Sequence, residues 1–497
     1  MTKRQRSFTG GIFGVLVALI LPCAAYGQVC AAGSGPTVTV IPGADVQSLI
    51  NSAGCGSTFM FSPGVYNNFS VVPLDYDQFI STTPKAAILS GATVVNNFVF
   101  NKTINLWVGK IQITPVSNPK GQCYPGVVGC IHPEDLFFNG ALYSRVNSYT
   151  AVLPGTWFLN YTSGNVYLKD NPTGQAIQIS TTRFAIGGGN ITSVVVSGFI
   201  VEHYGSPANN GAIEGNDYYQ LTAIPSYNWR IENNEIRYNH GAGINLGNQM
   251  TVTGNYLHHN GQLGVGGTGN NVTVTNNEIS SNNSVGYSYA WAGGAKFIQI
   301  NGLSVANNYS HDNNGPGLWM DIENSNVDIG FNRLSNNRGA GIIHEISYNA
   351  KIHDNTITND GIDSRGTGPW WGGGIIVSNS SNVQVYNNTL NNCQNGIMEQ
   401  SKYRGNGSNG LPYVLQNVSV YNNSITQNAG FAAGLLKNYP TGNLIYTSSG
   451  NAFGIDNNGK AAPNVYTLST SGKFVWVFNN VPNSQITEQE WQALGNN

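Results

Sequence analysis

The sequence has little charge. Only 9% of its 497 residues are Asp, Glu, Lys or Arg, and its formal net charge is −2. A protein that binds nucleic acid needs a basic face to neutralise phosphates, so nucleic acid is excluded as an expected partner. Beyond the N-terminus no apolar run approaches the roughly 18 residues of a membrane span, and no group of His and Cys has zinc-site spacing. The sequence therefore predicts a mature chain with no membrane span and no metal site.

The N-terminus predicts export. Residues 1–6 are cationic, and residues 11–22 form an apolar stretch too short to span a bilayer comfortably. Small residues, Ala25 and Gly27, occupy the −3 and −1 positions of a cleavage site. These are the features of a cleaved secretory signal peptide. We expect the mature protein to be secreted, in an extracellular or periplasmic location.

Cysteine is also scarce, with six in the chain and five after the expected cleavage. An exported protein can form disulfides, and short separations favour pairing Cys30 with Cys55 and Cys123 with Cys130. Cys393 is left over, and nothing near it resembles a nucleophile site. The cysteines therefore predict two structural disulfides.

What the chain has in abundance is glycine, with 62 residues, and a repeat built around asparagine. One Asn recurs at short intervals of 21 to 24 residues, after a V-x-V pattern and before a Gly-rich apolar segment. That period fits one coil of a solenoid, with apolar residues inward at period two and Asn and Gly at the corners. The recurring residues are Asn234, Asn255, Asn277, Asn308, Asn332, Asn355, Asn388 and Asn423.

This pattern resembles the right-handed parallel β-helix of the pectate-lyase-like superfamily, over roughly residues 185–440. The resemblance implies an all-β solenoid but no single activity, because that superfamily includes lyases, hydrolases, epimerases and adhesins. Helical spacing at residues 44–53 predicts a helix that caps the open end. The expected divisions are a signal peptide (1–27), an N-terminal cap with the first coils (28–91), an inserted antiparallel β subdomain (92–183), the β-helix repeats (184–440), and a C-terminal coil with a closing helix (441–497).

Two carboxylates recur at one phase of the repeat. The segments GLWMDI and GIIHEI each start with Gly and break an apolar run at the fifth residue, Asp321 and Glu345. Their separation of 24 residues equals that of Asn308 and Asn332, so both acids fall at one place on consecutive coils, facing outward. Parallel strands lie ~4.8 Å apart, which matches the roughly 5–5.5 Å carboxylate separation of a retaining glycosidase. The spacing therefore predicts a catalytic pair.

The motif GLWMD, with an acid one coil later in HEISYNA, on a β-helix with an inserted β subdomain, resembles glycoside hydrolase family 120, the β-helical β-xylosidases. The resemblance implies that Asp321 is the nucleophile and Glu345 the general acid/base. Lys296, which aligns with Trp319 one coil earlier, is expected to keep Asp321 ionised together with solvent. The anionic neighbour is expected to raise the pKa of Glu345. Trp319, Lys296 and Glu323 are the expected substrate contacts on these coils.

Three repeat intervals exceed one coil, and their additional residues are rich in aromatics and Gly. The first two enter at one phase, over residues 285–296 and 362–372, and should form walls beside the acidic pair. Flat ring faces match the C–H faces of sugars, so the loop aromatics are expected to contact a carbohydrate; packing beneath their own loops is the alternative. The aromatic candidates are Trp291, Trp370, Trp371 and Tyr403.

The favoured function is a secreted carbohydrate-active enzyme, a retaining glycoside hydrolase acting on plant or microbial polysaccharide fragments without a cofactor. The first alternative is a calcium-dependent polysaccharide lyase of the pectate or alginate type, in which Asp residues hold the ion and Lys or Arg abstracts a proton. The second is a non-enzymatic, carbohydrate-binding surface solenoid. The residues available to a lyase are Asp312, Asp321, Asp328, Lys296, Arg333 and Arg365.

Overall fold

The computed structural model describes residues 30–216, 224–362, 371–427, 431–437, 452–468, 474–478 and 484–493. The expected signal peptide lies outside these ranges. Within them the chain forms the parallel β-helix that the repeat predicts, with successive coils stacked through parallel strand pairing. A typical coil contributes three short strands, so the solenoid has three faces, which we call the site face, the second face and the third face.

The strands of the site face are Ile186–Gly187, Gly211–Glu214, Ala242–Leu246, Leu318–Asp321, Ile342–Glu345, Gly373–Ser378, Asn395–Gln400, Ala433–Lys437 and Phe474–Phe478, with Ser484–Ile486 antiparallel at the end. The second face consists of Thr37–Val40, Thr58–Phe61, Gln78–Ser81, Val195–Ser197, Arg230–Glu232, Thr251–Thr253, Ser325–Gly330, Tyr348–His353, Ser381–Tyr386, Gln416–Tyr421 and Ala452–Phe453. The third face consists of Gly64–Asn67, Ala87–Ser90, Ile200–Glu202, Glu235–Arg237, Tyr256–His258, Glu278–Ser280, Tyr309–His311, Arg333–Ser335, Thr356–Thr358, Thr389–Asn391, Ser424–Gln427 and Val465–Leu468. Two long strands, Leu263–Thr275 and Gly293–Ala306, run from the site face into the second face.

The interior is an apolar stack that follows from the period-two pattern. Val274, Val305 and Ile329 occupy one position on three consecutive coils of the second face, each in register with the next. All three are fully buried, together with inward residues of the other faces. Burying a Val or Ile stabilises a fold by roughly 1.5–3 kcal/mol, so every coil adds a substantial hydrophobic contribution.

The expected asparagine ladder runs along the corner between the second and third faces. The Asn332 Nδ2 donates to Asn355 Oδ1 at 3.0 Å and to the Val305 carbonyl oxygen at 2.8 Å. Its own Oδ1 accepts from Asn308 Nδ2 at 3.0 Å. The same side-chain bond joins each recurring Asn to the next and continues to Asn464. Buried amides that are partnered in this way stabilise the corner instead of costing free energy.

A second ladder, which the repeat did not indicate, runs along the corner after the third face. It consists of Asn239, Asn260, Asn282, Asn313, Asn337 and Asp360. Burial raises the pKa of the Asp360 carboxyl well above its ordinary value, although Asn337 donates to it. Its Oδ2 accepts no hydrogen bond in the part of the chain that the structure describes. The ladder therefore ends on a carboxyl group that the corner favours in its neutral form.

The N-terminal helix, Val46–Ala53, lies where the sequence predicts a cap. It begins after Asp45, whose Oδ1 accepts from the Ser48 backbone N–H at 3.2 Å, which satisfies one of the unpaired amides of the first turn. Ile50 is fully buried in the main core. The helix thus covers the first coil with its apolar side.

The C-terminal helix, Glu488–Ala493, closes the other end. Thr487 is its cap: the hydroxyl accepts from the Glu490 N–H at 3.2 Å, and the Glu490 carboxylate accepts from the Thr487 N–H at 2.7 Å. Ser484 lies in the short strand that precedes this helix. Trp491 is fully buried and joins the core. Within the described ranges, no helix is long and apolar enough to cross a membrane.

The inserted segment forms a separate eight-stranded sheet with its own apolar cluster around Trp157 and Leu168. Its pairing is antiparallel apart from one parallel contact, Ser144 with Thr156 and Arg145 with Trp157. In spatial order its strands are Ala92–Val94, Ile177–Ser180, Leu136–Phe138, Ala141–Arg145, Thr156–Asn160, Asn165–Leu168, Leu106–Lys110 and Val99–Asn101. A short 3₁₀ helix, Tyr149–Ala151, lies between two of them.

Both expected disulfides are present, Cys30 with Cys55 and Cys123 with Cys130, and Cys393 is free and buried. The second disulfide lies within the inserted segment, between the strands Leu106–Lys110 and Leu136–Phe138. It closes a loop that docks on the β-helix, where Cys123 forms an isolated bridge with Tyr287. This loop therefore connects the insertion to the wall beside the acidic pair.

Candidate active site

The acidic pair lies on adjacent strands of the site face, Leu318–Asp321 and Ile342–Glu345. Asp321 is the register partner of Glu345, and Trp319 is the partner of Ile343. Neighbouring parallel strands lie ~4.8 Å apart, so the two carboxyl groups leave the sheet about one strand spacing from each other. Leu318 and its equivalents pack into the main core, whereas Trp319 and Ile343 belong to a separate apolar cluster outside it. The expected alternation of side chains therefore holds.

Asp321 and Glu345 open into one cavity of about 280 Å³. Their side chains are far less exposed than their outward direction suggests, because Asp321 is 6% exposed and Glu345 is fully buried. Solvent therefore has little access to the Asp321 carboxylate, whereas we expected solvent to surround it. The cavity is lined by Tyr289, Ala290, Pro316, Trp319, Asp321, Gly339, Ala340, Ile343, Glu345, Trp371 and Arg404.

Asp321 is held by Lys296. The Lys296 Nζ lies 2.9 Å from Asp321 Oδ2, donates to the Ala290 carbonyl oxygen at 2.8 Å, and lies 3.8 Å from the centre of the Trp319 ring. These contacts fix the ammonium beside the carboxylate. Asp321 Oδ1 accepts no hydrogen bond from the described residues. One carboxylate oxygen is thus positioned by a cation, and the other is buried without a hydrogen bond from the described residues.

Glu345 has a pKa raised to about 7. Burial is the largest cause; the nearby charge of Asp321, the cause that we expected, also raises the pKa, and the charge of Arg404 lowers it. The Arg404 guanidinium lies 2.7 Å from Glu345 Oε1, an ion pair whose geometry falls short of a hydrogen bond. A carboxyl group that titrates near neutrality can both give and accept a proton.

The backbone is strained directly after each acid. Ile322 and Ile346 have φ values of +57° and +41°, in the left-handed region that β-branched residues rarely adopt. Such residues cost on the order of 1–3 kcal/mol and persist where surrounding structure holds them. Both corners turn immediately behind the carboxylates, so the strain accompanies the placement of the pair.

The aromatic walls differ from the expectation in one respect. Trp371 and Trp319 line the cavity, but Trp291 does not. Trp291 packs on the cluster that contains Cys123 and Tyr287, because the disulfide loop covers that side of the wall. Tyr289 takes its place at the cavity, and sequence reasoning missed it although it lies in the same loop. Trp370 is outside the described residues.

Two other candidates lie away from the cavity lining. Tyr403 is 47% exposed and does not line the cavity. The Glu323 carboxylate accepts from the Ser408 backbone N–H, and this bond lowers the pKa of Glu323. Glu323 therefore anchors the loop at residues 401–413 and is not among the residues that line the cavity. That same loop carries Arg404, which we had overlooked because only its aromatic and Gly content was considered.

The residues available to a calcium lyase are dispersed. Asp312 accepts from His311 on the third-face side, and Asp328 pairs with His353, while Asp321 faces the cavity. Among the described residues, no group of three or more His, Cys, Asp or Glu is placed to hold a metal ion. Arg365, another candidate, lies outside the described residues. The cavity thus offers two carboxyl groups and nearby cations instead of a set of acidic ligands.

A family model and one solved structure agree with this architecture, and two further structures are less similar. A family model described as a right-handed β-helix region matches residues 222–390. The structure of XylC in complex with xylose is similar, with a TM-score of 0.65 and 15% identity, over 88% of this chain and 87% of that chain. A mannuronan C-5 epimerase module, AlgE6 of Azotobacter vinelandii, has a TM-score of 0.43 and 14% identity over 87% of this chain and 92% of its own. No curated protein sequence matches the chain.

The catalytic unit of a GH87 α-1,3-glucanase from Streptomyces thermodiastaticus strain HF3-3 has a TM-score of 0.44 and 13% identity, over 92% of this chain and 69% of that chain. The protein is a right-handed parallel β-helix. At such identities the likeness concerns the fold, so the chemistry has to be argued from the site itself.

Proposed function

We propose that this protein is an exported carbohydrate-active enzyme, a retaining glycoside hydrolase of the xylosidase-like kind. The observation that carries the proposal is the register pairing of Asp321 with Glu345, both buried at one cavity. A separation of about one strand spacing suits a covalent, retaining mechanism, because an inverting pair needs roughly 6.5–9.5 Å to admit a water molecule. The two disulfides suit an exported protein.

In the first step, Asp321 attacks the anomeric carbon of the bound sugar. The bond between that carbon and the leaving-group oxygen breaks, and Glu345 gives its proton to the departing oxygen. Lys296 holds one Asp321 oxygen, and we assign the attack to the other, which accepts no hydrogen bond from the described residues. The product of this step is a glycosyl ester of Asp321 and a free aglycone.

In the second step, the ionised Glu345 takes a proton from a water molecule, which attacks the same carbon. The ester bond to Asp321 breaks, the sugar leaves with its original anomeric configuration, and Glu345 is protonated again. A pKa near 7 allows Glu345 to serve in both directions. Neither step requires a cofactor.

The cavity also bears on the kind of substrate. Its volume of about 280 Å³ lies near the lower end of small-molecule sites, roughly 300–1,000 Å³, so it suits a short, terminal portion of a sugar chain. Trp371 and Trp319 offer ring surface to a sugar. XylC was solved with xylose, so xylosides are the first compounds to test.

The test is a screen of the purified protein on aryl xylosides, arabinosides and a polysaccharide panel. Reducing ends and absorbance at 235 nm are followed together, with and without calcium. We expect reducing ends without ultraviolet absorbance, and loss of this activity in Asp321→Asn. A rising, calcium-dependent absorbance would instead identify a lyase, and binding without turnover would identify a carbohydrate-binding solenoid.

A further inference from the structure

The cavity has more positive than negative charge around its acidic pair. Arg404 lines it, Lys296 contacts Asp321, and Lys402 lies beside Trp371, whereas Asp321 and Glu345 are the two carboxyl groups at the lining. One positive charge therefore remains in excess even when both acids are ionised. A partly buried excess charge is costly unless a ligand of opposite sign completes the site.

Arg404 is available to such a ligand. Its guanidinium touches Glu345 through one nitrogen and is 33% exposed at the cavity. A guanidinium has five N–H donors arranged as a fork that matches a carboxylate. Among the described residues, the Arg404 side chain makes one polar contact, with Glu345. Most of its donors are therefore free for a second partner.

The loop that carries Arg404 is fixed at two points. The Lys402 backbone N–H donates to Asn379 Oδ1 at 3.1 Å, and Asn379 Nδ2 donates back to the Lys402 carbonyl oxygen at 2.5 Å. Six residues later, Ser408 donates to Glu323. Arg404 lies between these anchors, so its position at the cavity is set by the fold.

Lys402 supplies the second cation. Its Nζ lies 4.4 Å from the centre of the Trp371 ring, and this ring lines the cavity. In the described part of the chain, no carboxylate lies within ion-pair distance of it. Burial lowers the pKa of Lys402, and the Glu345 charge opposes that effect. An anionic ligand beside Trp371 would stabilise this ammonium.

We propose that the cavity binds a sugar that itself carries a carboxylate, a uronic acid glycoside, with Arg404 and Lys402 as its recognition residues. The inference rests on the proposed hydrolase function and names its substrate class. The sugar carboxylate pairs with the fork of Arg404, and the ring packs near Trp371.

The first experiment measures binding and does not depend on turnover. Glucuronate, galacturonate, glucose, galactose and xylose are titrated calorimetrically into wild type, Arg404→Gln, Lys402→Gln and Lys351→Gln. Lys351 is an exposed lysine of the second face, so its variant controls for the loss of one positive charge. We expect a uronate to bind about 10- to 100-fold more tightly than its neutral hexose, the range for a hydrogen-bonded charge. Arg404→Gln should remove this preference, and Lys351→Gln should keep it.

The second experiment compares aryl xylosides, glucosides and glucuronides, which differ at carbon 5, in both anomeric series. We expect the uronide to have the highest kcat/KM, and Arg404→Gln to reduce it about 10- to 100-fold while neutral glycosides change less. Because Arg404 holds the pKa of Glu345 down, the basic limb of the pH profile on neutral glycosides should move to higher pH in Arg404→Gln. A residue with a structural role alone would not shift that limb.

The outcomes separate this inference from the function on which it rests. Hydrolysis of neutral glycosides through Asp321, with no preference for uronates in either experiment, overturns the inference and leaves the hydrolase. Binding of uronates that depends on Arg404, with no hydrolysis of any glycoside, supports the inference and contradicts the hydrolase. Equal effects of Arg404→Gln and Lys351→Gln also overturn the inference.

Discussion

Two arrays of buried polar side chains follow the same coils. They differ in how many of their donors and acceptors have hydrogen-bond partners. Along the asparagine ladder, the Asn332 side chain donates to Asn355 and to the Val305 carbonyl oxygen, and it accepts from Asn308. On the site face, Asp321 Oδ1 and both oxygens of Glu345 accept no hydrogen bond within the described chain. The sheet spacing is common to both arrays, so the difference comes from the side chains and loops placed on it.

This difference distinguishes a stabilising array from a chemical one. A satisfied buried amide adds stability, whereas a buried carboxyl group with unmet acceptors costs free energy and persists where it serves a ligand. Substitutions should therefore affect activity most at the carboxyl pair and stability most at the ladder. The predictions below follow that division.

Replacing the nucleophile should have the largest effect. Asp321→Asn keeps the size of the side chain but removes the attacking charge, so kcat on every substrate should fall by about 10³-fold or more. Added azide should restore part of the turnover in Asp321→Ala, because a small anion can attack from the vacated face. Wild-type rates in Asp321→Asn would contradict the nucleophile assignment.

Removing the acid should have an effect that depends on the leaving group. In Glu345→Gln, kcat/KM should fall about 10²- to 10³-fold for an alkyl or sugar aglycone, which needs protonation, and much less for an activated aryl aglycone. The wild-type pH profile should decline above pH about 7 as Glu345 loses its proton, and this limb should be missing from the variant. Equal losses on both kinds of substrate would exclude the acid role.

The same variant should change stability in the direction opposite to a ladder substitution. The folded pKa of Glu345, about 7, lies above its unfolded value of about 4.5. The contribution of Glu345 to the free energy of unfolding is therefore fully present below pH about 4.5 and is lost as the pH rises to about 7. The amide side chain of Glu345→Gln does not ionise, so the variant does not lose stability in this way as the pH rises. Above pH 7 it should be more stable than wild type by on the order of 3 kcal/mol, and the advantage should vanish near pH 4. Chemical denaturation at the two pH values measures it.

Breaking the ladder should lower stability and spare the chemistry. Asn332→Ala leaves Asn308 and a backbone amide without their acceptor, so unfolding should become easier by about 1–3 kcal/mol. Activity per folded molecule should stay near that of wild type. Thr356→Ala, at an exposed position of the third face whose side chain makes no hydrogen bond among the described residues, is the matched control and should change stability little. An unchanged melting temperature for Asn332→Ala would contradict the account of the ladder.

The smallest effect should come from a carboxyl group inside a ladder. Asp360→Asn replaces an acid whose pKa is raised by burial with the residue type that fills the other rungs. Because the folded pKa lies above the unfolded one, the variant should gain stability relative to wild type as pH rises, and little at low pH. Thermal unfolding at acidic and mildly alkaline pH tests this. A loss of stability at alkaline pH would show that the charge of Asp360 is compensated.

The coil architecture and the direction of the acidic pair followed from the sequence, because both depend on spacing. Period two places Leu318 inward and Asp321 outward whatever surrounds them. The second ladder was missed because Asp360 occupies a rung where another Asn would have completed the pattern. Burial of Glu345 also depends on loops that enter from other coils, which periodicity does not describe.

Contacts between distant insertions escaped sequence reasoning for a related reason. Arg404 reaches Glu345 from the next but one coil along the site face, and the pairing depends on how the 401–413 loop folds back. Trp291 and Tyr289 share one loop, and only the docking of the Cys123–Cys130 loop determines which of them meets the cavity. The residue types predicted an aromatic wall, but they did not predict which ring would face the cavity.

The most direct test of the central claim, that Asp321 forms a covalent bond to the sugar, is trapping of the intermediate. The enzyme is incubated with a 2-deoxy-2-fluoro glycoside bearing an activated leaving group, in the sugar series that the substrate screen selects, and the digested protein is examined by tandem mass spectrometry. The account predicts one added glycosyl group per chain, on Asp321, with none in Asp321→Asn. A group on Glu345 or on any other residue, or turnover with inverted configuration and no adduct, would contradict it.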